Sequence, residues 1–143
     1  MTIEIRRLGP DDAALFDRIA DGVFDHAVDR DRIRAYLATP GHYFIAAIDD
    51  GRMIGQLAAM LHRHPDRRPT ELYIDELAVD PAYQRRGLAR RMLDEAFALG
   101  RQLGCEEAWV GTKPDNLPAR GLYEARADLA EPAQSVVMYV YKL

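Results

Sequence analysis

The chain has 143 residues, 48% of them hydrophobic and 29% charged, with a formal charge of −4; this suits a single domain over residues 1–143 whose core needs no staples. The acidic balance argues against a general nucleic-acid binder, and no segment approaches the roughly 20 apolar residues of a membrane span. Cys105 is the only cysteine, which excludes an internal disulfide and a cysteine-built zinc cluster, and "MTIEIRRLGPDD" carries charge from its fourth residue with no apolar leader, so the simplest expectation is a cytoplasmic protein.

"TIEIRRL" alternates apolar and polar with period two and predicts a strand over residues 2–8, ended by Gly9 and Pro10. "PDDAALFDRIADGVFD" offers Asp11 or Asp12 as a helix cap ahead of Ala14, Leu15, Ile19 and Val23; a second short helix falls on "DRDRIRAYLAT", stopped by Thr39-Pro40-Gly41. "HYFIAAIDDGRMIGQLAAML" is two apolar runs around Asp49-Asp50-Gly51, a hairpin by its turn chemistry. Residues 62–70, "HRHPDRRPT", have no periodicity and read as a surface loop; His62 and His64, two apart, could suggest metal or base chemistry, but a solvated loop is the better reading because no third ligand is in reach by sequence. "ELYIDELAVDP" is a strand, and "RRGLARRMLDEAFALGRQLG" an amphipathic helix with Leu88, Met92, Ala96, Leu99 and Leu103 on one face. "CEEAWVGT" is the next strand, with Cys105 a small buried hydrophobe at its start. A short helix follows through "LPARGLYEARA", and "QSVVMYVYKL" closes the chain as a long strand. The order β-α-α-β-β-β-α-β-α-β implies an α/β domain of mixed sheet.

The junction "AYQRRGLARR", residues 82–91, joins a strand to a helix. A helix start presents unpaired N–H groups and the positive end of the helix dipole, which together suit phosphate. Gly87 permits a tight turn and a close approach of ligand to backbone. Arg85 and Arg86, with Arg90 and Arg91 one turn on, add charge-assisted donors, so the junction reads as a pyrophosphate cradle; solvated surface arginines around a common turn are the competing reading.

Residues Gln84 to Ala89 fit the Arg/Gln-x-x-Gly-x-Gly/Ala loop, and with the preceding "DELAVDPAY" and the following amphipathic helix the chain resembles the GNAT superfamily of acyl-CoA-dependent N-acetyltransferases. The resemblance implies a mostly antiparallel central sheet of six to seven strands flanked by about four helices. It also implies acetyl-CoA as co-substrate, its pyrophosphate on the backbone of Gln84, Arg85, Arg86, Gly87, Leu88 and Ala89, and its pantetheine arm on main-chain groups of Leu77 and Val79. "TKPDNLPARGLYE" is similar to the family's N-x-x-A-x-x-x-Y pattern, which implies Asn116 and Ala119 on the cofactor side and Tyr123 as proton donor to the leaving thiolate; a core aromatic on a helix face is the other reading of Tyr123. The stretch after that helix, "EARADLAEPAQ", departs from the glycine-aromatic turn of most relatives. "YIDELAV" and the terminal "VVMYVYKL" look most similar to the aminoglycoside 3-N-acetyltransferase group.

Acetyl transfer needs a neutral amine, and a carboxylate can take its proton directly or through water. "ELYIDELAV" holds Glu71, Asp75 and Glu76; strict alternation sets Asp75 opposite Glu76 and groups Glu76 with Ile74 and Ala78. Glu76 is the first choice of base, against a structural pairing with an arginine, and Glu71 and Tyr73 are the runners-up. The acceptor pocket is expected from the first helices, the 62–70 loop and residues 124–135; Asp25, Asp29 and Asp31 read as helix caps or as an acidic rim for cationic amines. The expected reaction is acetyl transfer to a primary amine of a small molecule without a covalent enzyme intermediate. Protein or peptide N-terminal acetylation and a non-catalytic acyl-CoA-binding module are the alternatives. A homodimer through the final strand is a further expectation, with one buried sheet face explaining the same pattern. No metal, nucleic acid or membrane partner is expected.

Overall fold

Residues 2–143 are described by a computed structural model, in which five strands form one sheet: β1 (Glu4–Leu8), β2 (His42–Asp49), β3 (Arg52–His62), β4 (Glu71–Val79) and β5 (Glu107–Val110). They lie side by side in chain order, antiparallel from β1 to β4 and parallel between β4 and β5. Three α-helices, α1 (Arg30–Ala38), α2 (Leu88–Gln102) and α3 (Leu117–Glu124), join an eight-residue 3-10 helix at Pro10–Asp17 and a short 3-10 turn at Pro81–Tyr83. The chain divides into two compact units, one ending at Gly111 and the other running from Thr112 to Leu143.

In the first unit, β2 and the middle of β3 are buried on both faces. One face carries Phe44, Ala46, Met53 and Ala58, which pack with Ala13 and Phe16 of the 3-10 helix and Leu37 of α1; Phe16 and Phe44 meet at 5.0 Å between ring centroids. The other face lies under α2, whose Met92, Leu93 and Ala96 are fully buried. Gly55 is required there: a Cβ would come within 3.0 Å of the Met92 methyl, 3.2 Å of Ala47 Cβ and 3.3 Å of the Ala78 carbonyl.

The β2–β3 hairpin turns on Asp50 and Gly51, both at positive φ (48° and 72°), as the sequence anticipates. Asp29 caps α1, its carboxylate accepting from the Arg32 N–H at 3.0 Å. The first helical segment differs from expectation. It is a 3-10 helix starting at Pro10, and neither aspartate is its N-cap; the Asp12 carboxylate instead reaches back to accept from the Gly9 N–H at 2.8 Å. Its buried residues are Ala13 and Phe16, three apart, the spacing that stacks along a 3-10 helix, and not Ala14 and Leu15.

In the second unit, the Asn116 carboxamide caps α3 by accepting from the Ala119 N–H at 3.2 Å. Residues 134–143 are not a strand. They pair with no strand among the described residues, and their apolar side chains are exposed, Val140 at 97%. Alternation gives a segment the shape for pairing but not the neighbouring edge that makes it a strand. The sheet therefore has five strands among the described residues and not six to seven.

Candidate active site

Gly87 is the N-cap of α2 at φ 76°, and Arg85 before it also lies at positive φ, 64°. The first intrahelical bond runs from the Arg91 N–H to the Gly87 carbonyl, so the N–H groups at the head of α2 have no helical partner and no side chain caps them. The first turn holds no acidic residue. A Cβ at Gly87 would meet nothing within 4 Å and would point into open space. Fifteen residues of aligned peptide dipole thus end in free donors beside open space, the arrangement that suits an anion.

This loop is held at its start. The Tyr83 hydroxyl donates to Asp49 Oδ2 at 2.6 Å, tying the loop to the β2–β3 hairpin, and that hydrogen bond pushes the Tyr83 hydroxyl's pKa up. The Gln84 amide donates to the Val79 carbonyl at 3.3 Å, and the Arg86 guanidinium lies 4.9 Å from the Tyr83 ring centroid. Arg91, expected among the anion donors, instead gives a hydrogen bond to the Ile3 carbonyl at 3.2 Å.

The strand before the loop is paired unevenly. β5 pairs with β4 only from Glu71 to Ile74, whereas β3 accompanies β4 to Val79. The Asp80 N–H donates to the Ile54 carbonyl of β3 at 2.8 Å. Main-chain groups of an antiparallel strand turn toward and away from the partner in alternation, so Ala78 and Glu76 face β3 with Asp80, and Leu77 and Val79 face the side that β5 does not reach. Among the described residues no strand pairs with this edge, whose Val79 carbonyl takes the Gln84 amide, and it runs directly into residues 84–89.

A β-bulge sits where the pairing changes: Ala58 pairs with Glu76 and Ala59 with Ile74, which leaves Asp75 as the extra residue. It breaks the alternation that the sequence reading assumed. Ile74 lies with Leu72 on the α2 side, while Glu76 and Ala78 share the other face with Ala58 and Gln56, so the expected grouping of Glu76 with Ile74 is corrected. Asp75 and Glu76 both raise the pKa of the Tyr36 hydroxyl, behind the larger effect of burial, which together push it up to about 12. Tyr36 itself donates to the carbonyls of Tyr43 (2.8 Å) and Ala59 (3.1 Å), the latter at the bulge.

Glu76 is exposed and meets no arginine among the described residues; its Oε2 accepts from the Gln56 amide at 2.9 Å. Gln56 is 2% exposed, and the same amide nitrogen also donates to the Val23 carbonyl at 3.3 Å. Residues 19–22 and 24–28, on either side of the buried Val23, line an open hollow of about 330 Å³ that includes Asp21 and Asp25. Asp29 is a helix cap, and Asp31 lies in the first turn of the same helix.

Asn116, Ala119 and Tyr123 belong to the second unit, where α3 carries all three on one short segment. Asn116 acts there as the helix cap. Partial burial raises the Tyr123 hydroxyl's pKa, which keeps its proton in place at neutral pH. Sequence reasoning missed Gln56, Tyr83 and Asp49, because each acts across the sheet on a residue more than 15 positions away. The one available signal was a polar Gln56 inside the apolar run "MIGQLAAML".

The acetyltransferase (GNAT) family model matches residues 13–127. The N-alpha-acetyltransferase RimI of Mycobacterium tuberculosis is 32% identical over 90 residues, 62% of this chain and 53% of that protein. The chain spans about half to two thirds of the length of the first curated relatives it matches. An aminoglycoside acetyltransferase from an uncultured soil metagenomic sample superimposes with a TM-score of 0.79 at 23% identity, covering 99% of this chain and all of that one. The aminoglycoside-modifying AAC(6')-Iy, solved with a bisubstrate analogue of coenzyme A and acetylneamine, also gives 0.79, at 18% identity over the whole of both chains. At these identities the structural likeness is one of fold. No helix among the described residues is long and apolar enough to cross a membrane. With its family match spanning most of both the sheet and the helices, the chain belongs to the acetyltransferase (GNAT) family.

Proposed function

We propose that the chain is a single functional domain that transfers an acetyl group from acetyl-CoA to a primary amine of a small molecule. The observation that carries this reading is the unpaired outer edge of β4 leading into the uncapped head of α2. In it the pyrophosphate lies against the backbone of Gln84, Arg85, Arg86, Gly87, Leu88 and Ala89, and the pantetheine amides pair with main-chain groups of Leu77 and Val79. Asn116 and Ala119 complete the cofactor side.

The amine nitrogen attacks the thioester carbon directly, forming the C–N bond while the C–S bond breaks. Glu76 takes the proton that the amine loses, directly or through water, and the Val79 N–H polarises the carbonyl oxygen. Tyr123 protonates the departing thiolate, and its raised pKa favours the protonated form this step requires. Gln56 is a positioning residue: from a buried site it donates to the Glu76 carboxylate and orients it. On this reading Asp21 and Asp25, around the hollow at residues 19–28, favour a cationic acceptor, and the aminoglycoside-acting proteins of the same fold support that class.

The experiment is a thiol-release assay with acetyl-CoA across aminoglycosides, polyamines and short peptides. Release on a polycationic small amine supports the proposal. A second reading, N-terminal acetylation of a protein or peptide, draws on the identity with RimI; release confined to peptides would establish it in place of the first.

A further inference from the structure

We propose that His62, His64 and Glu71 form a binding site for one divalent transition-metal ion of the zinc class, separate from the acetyl-transfer machinery. The site follows from strand geometry. His62 ends β3, and Glu71, which opens β4, is its register partner across the ladder. His64 stands two residues after His62, just past the end of β3, and its ring lies beside that of His62. The result gathers ligand atoms from both strands and from the loop that joins them.

The distances fit an ion. His62 Nδ1 lies 3.0 Å from Glu71 Oε1, His64 Nε2 lies 3.2 Å from the same oxygen, and all three ligand atoms fall within 4.8 Å of one another. Tetrahedral zinc with nitrogen and oxygen bonds near 2.0–2.1 Å separates its ligands by roughly 3.3 Å. The two imidazole rings sit 4.4 Å apart, tilted to each other around the single carboxylate.

A second observation is independent of that clustering. The His64 side chain is only 9% exposed, and its Nε2 is buried with no hydrogen-bond partner. The 3.2 Å approach to Glu71 lacks the alignment of a hydrogen bond, so this nitrogen is a buried polar atom aimed at the carboxylate without satisfaction. A buried group of this kind costs stability unless something engages it, and a metal ion would do so.

Two imidazoles and one carboxylate suit zinc, cobalt, nickel or copper and disfavour calcium and magnesium, which prefer all-oxygen shells. Three protein ligands leave a further coordination position open to water. Asp66 takes the Arg68 guanidinium at 2.9 and 3.0 Å and so offsets one of the three arginines in the same loop. Glu71 opens the strand that Leu77 and Val79 end, with the Asp75 bulge between them. Binding should therefore clamp the 63–70 loop and leave the cofactor edge untouched.

The test is titration of the tag-free, metal-stripped full chain with Co2+ and then Zn2+, read by the visible absorption of four-coordinate cobalt and by calorimetry. The expected result is one site per chain, cobalt bands that Zn2+ abolishes and excess Ca2+ does not, and a rise in Tm on binding. His64→Ala and His62→Ala should each weaken binding by at least about tenfold, since loss of even an outer-shell partner costs that much. His62 is 56% exposed at its side chain, so its replacement tests the site without disturbing the core. Absence of a saturable site, displacement by Ca2+, or full affinity in a folded His62→Ala or His64→Ala protein would each overturn the proposal.

Discussion

From Glu71 to Ile74 the main chain of β4 lies between β3 and β5; from Asp75 to Val79 it has β3 alone. The first half buries Leu72 and Ile74 completely, and the second half buries none of its residues completely. One strand thus changes from an interior member of the sheet to an open edge within nine residues, and the change falls at the single extra residue of the bulge. An edge is ordinarily a hazard that proteins cover or blunt. Here its N–H and C=O groups lie beside the open head of α2, and the difference between the halves separates a packed interior stretch of the sheet from a surface able to take a ligand as its next strand.

The proposed base gives the widest margin for testing that contrast. Glu76→Gln keeps the hydrogen-bonding shape on the open half and removes the charge; kcat should fall about 100-fold while acetyl-CoA affinity stays within a factor of two. Steady-state kinetics set beside calorimetry separate the two quantities, and a fall in affinity matching the fall in kcat would move Glu76 from chemistry to binding. Gly87→Glu should act the other way. It forces a side chain into the left-handed region and a negative charge into the cradle, so acetyl-CoA affinity should drop by at least about tenfold in a folded protein. Unchanged affinity would remove the anion site from this loop.

Smaller effects belong to the supporting residues. Gln56→Leu should lower kcat several-fold, with cofactor affinity retained, because the Glu76 carboxylate loses the amide that orients it; the contrast of kcat with KM for acetyl-CoA distinguishes this from a general loss of packing. Tyr123→Phe should slow thiol release about tenfold at pH 7. Because burial raises the Tyr123 pKa, the wild-type rate should show no tyrosine-linked decline below about pH 10.

Tyr36 gives the smallest effect and a clear sign. Its folded pKa is raised from 10.0 to about 12. The folded state therefore keeps a proton that the unfolded chain releases, and the stabilisation is complete below pH 10 and lost as pH rises toward 12. After discounting for solvent screening, the loss is about 1–2 kcal/mol. Urea melts at pH 9 and pH 11.5 should show this difference in wild type and much less of it in Tyr36→Phe. An equal difference in both proteins would assign the pH dependence elsewhere.

The parts of this arrangement legible in the sequence are those fixed by local rules. Asp50-Gly51 demanded a hairpin, and the spacing of Leu88, Met92, Ala96, Leu99 and Leu103 demanded a helix with one buried face; the first four are buried, while Leu103 lies just past the helix as its C-cap and is half-buried. Gly87 stood where the chain needs positive φ at the head of that helix. The bulge was hidden because neither glycine nor proline marks it, and one extra residue reversed the faces assigned to half of β4. Glu71 was invisible as a third ligand because its approach to His62 depends on hairpin register, nine positions away in sequence. The alternating residues 134–143 read as a strand because pattern reports the side chains alone, and a strand also requires a main-chain partner, which these residues do not have among the described residues.

The central claim is that the open half of β4 and the head of α2 form one cofactor surface, and amide chemical shifts observe it directly. In a 15N-labelled sample titrated with coenzyme A, the account predicts saturable shifts concentrated at Leu77, Val79 and the run Gln84 to Ala89, with Glu71 to Ile74 nearly still. Saturable shifts that leave Leu77, Val79, Gly87 and Leu88 in place, or no shifts at all, would contradict it.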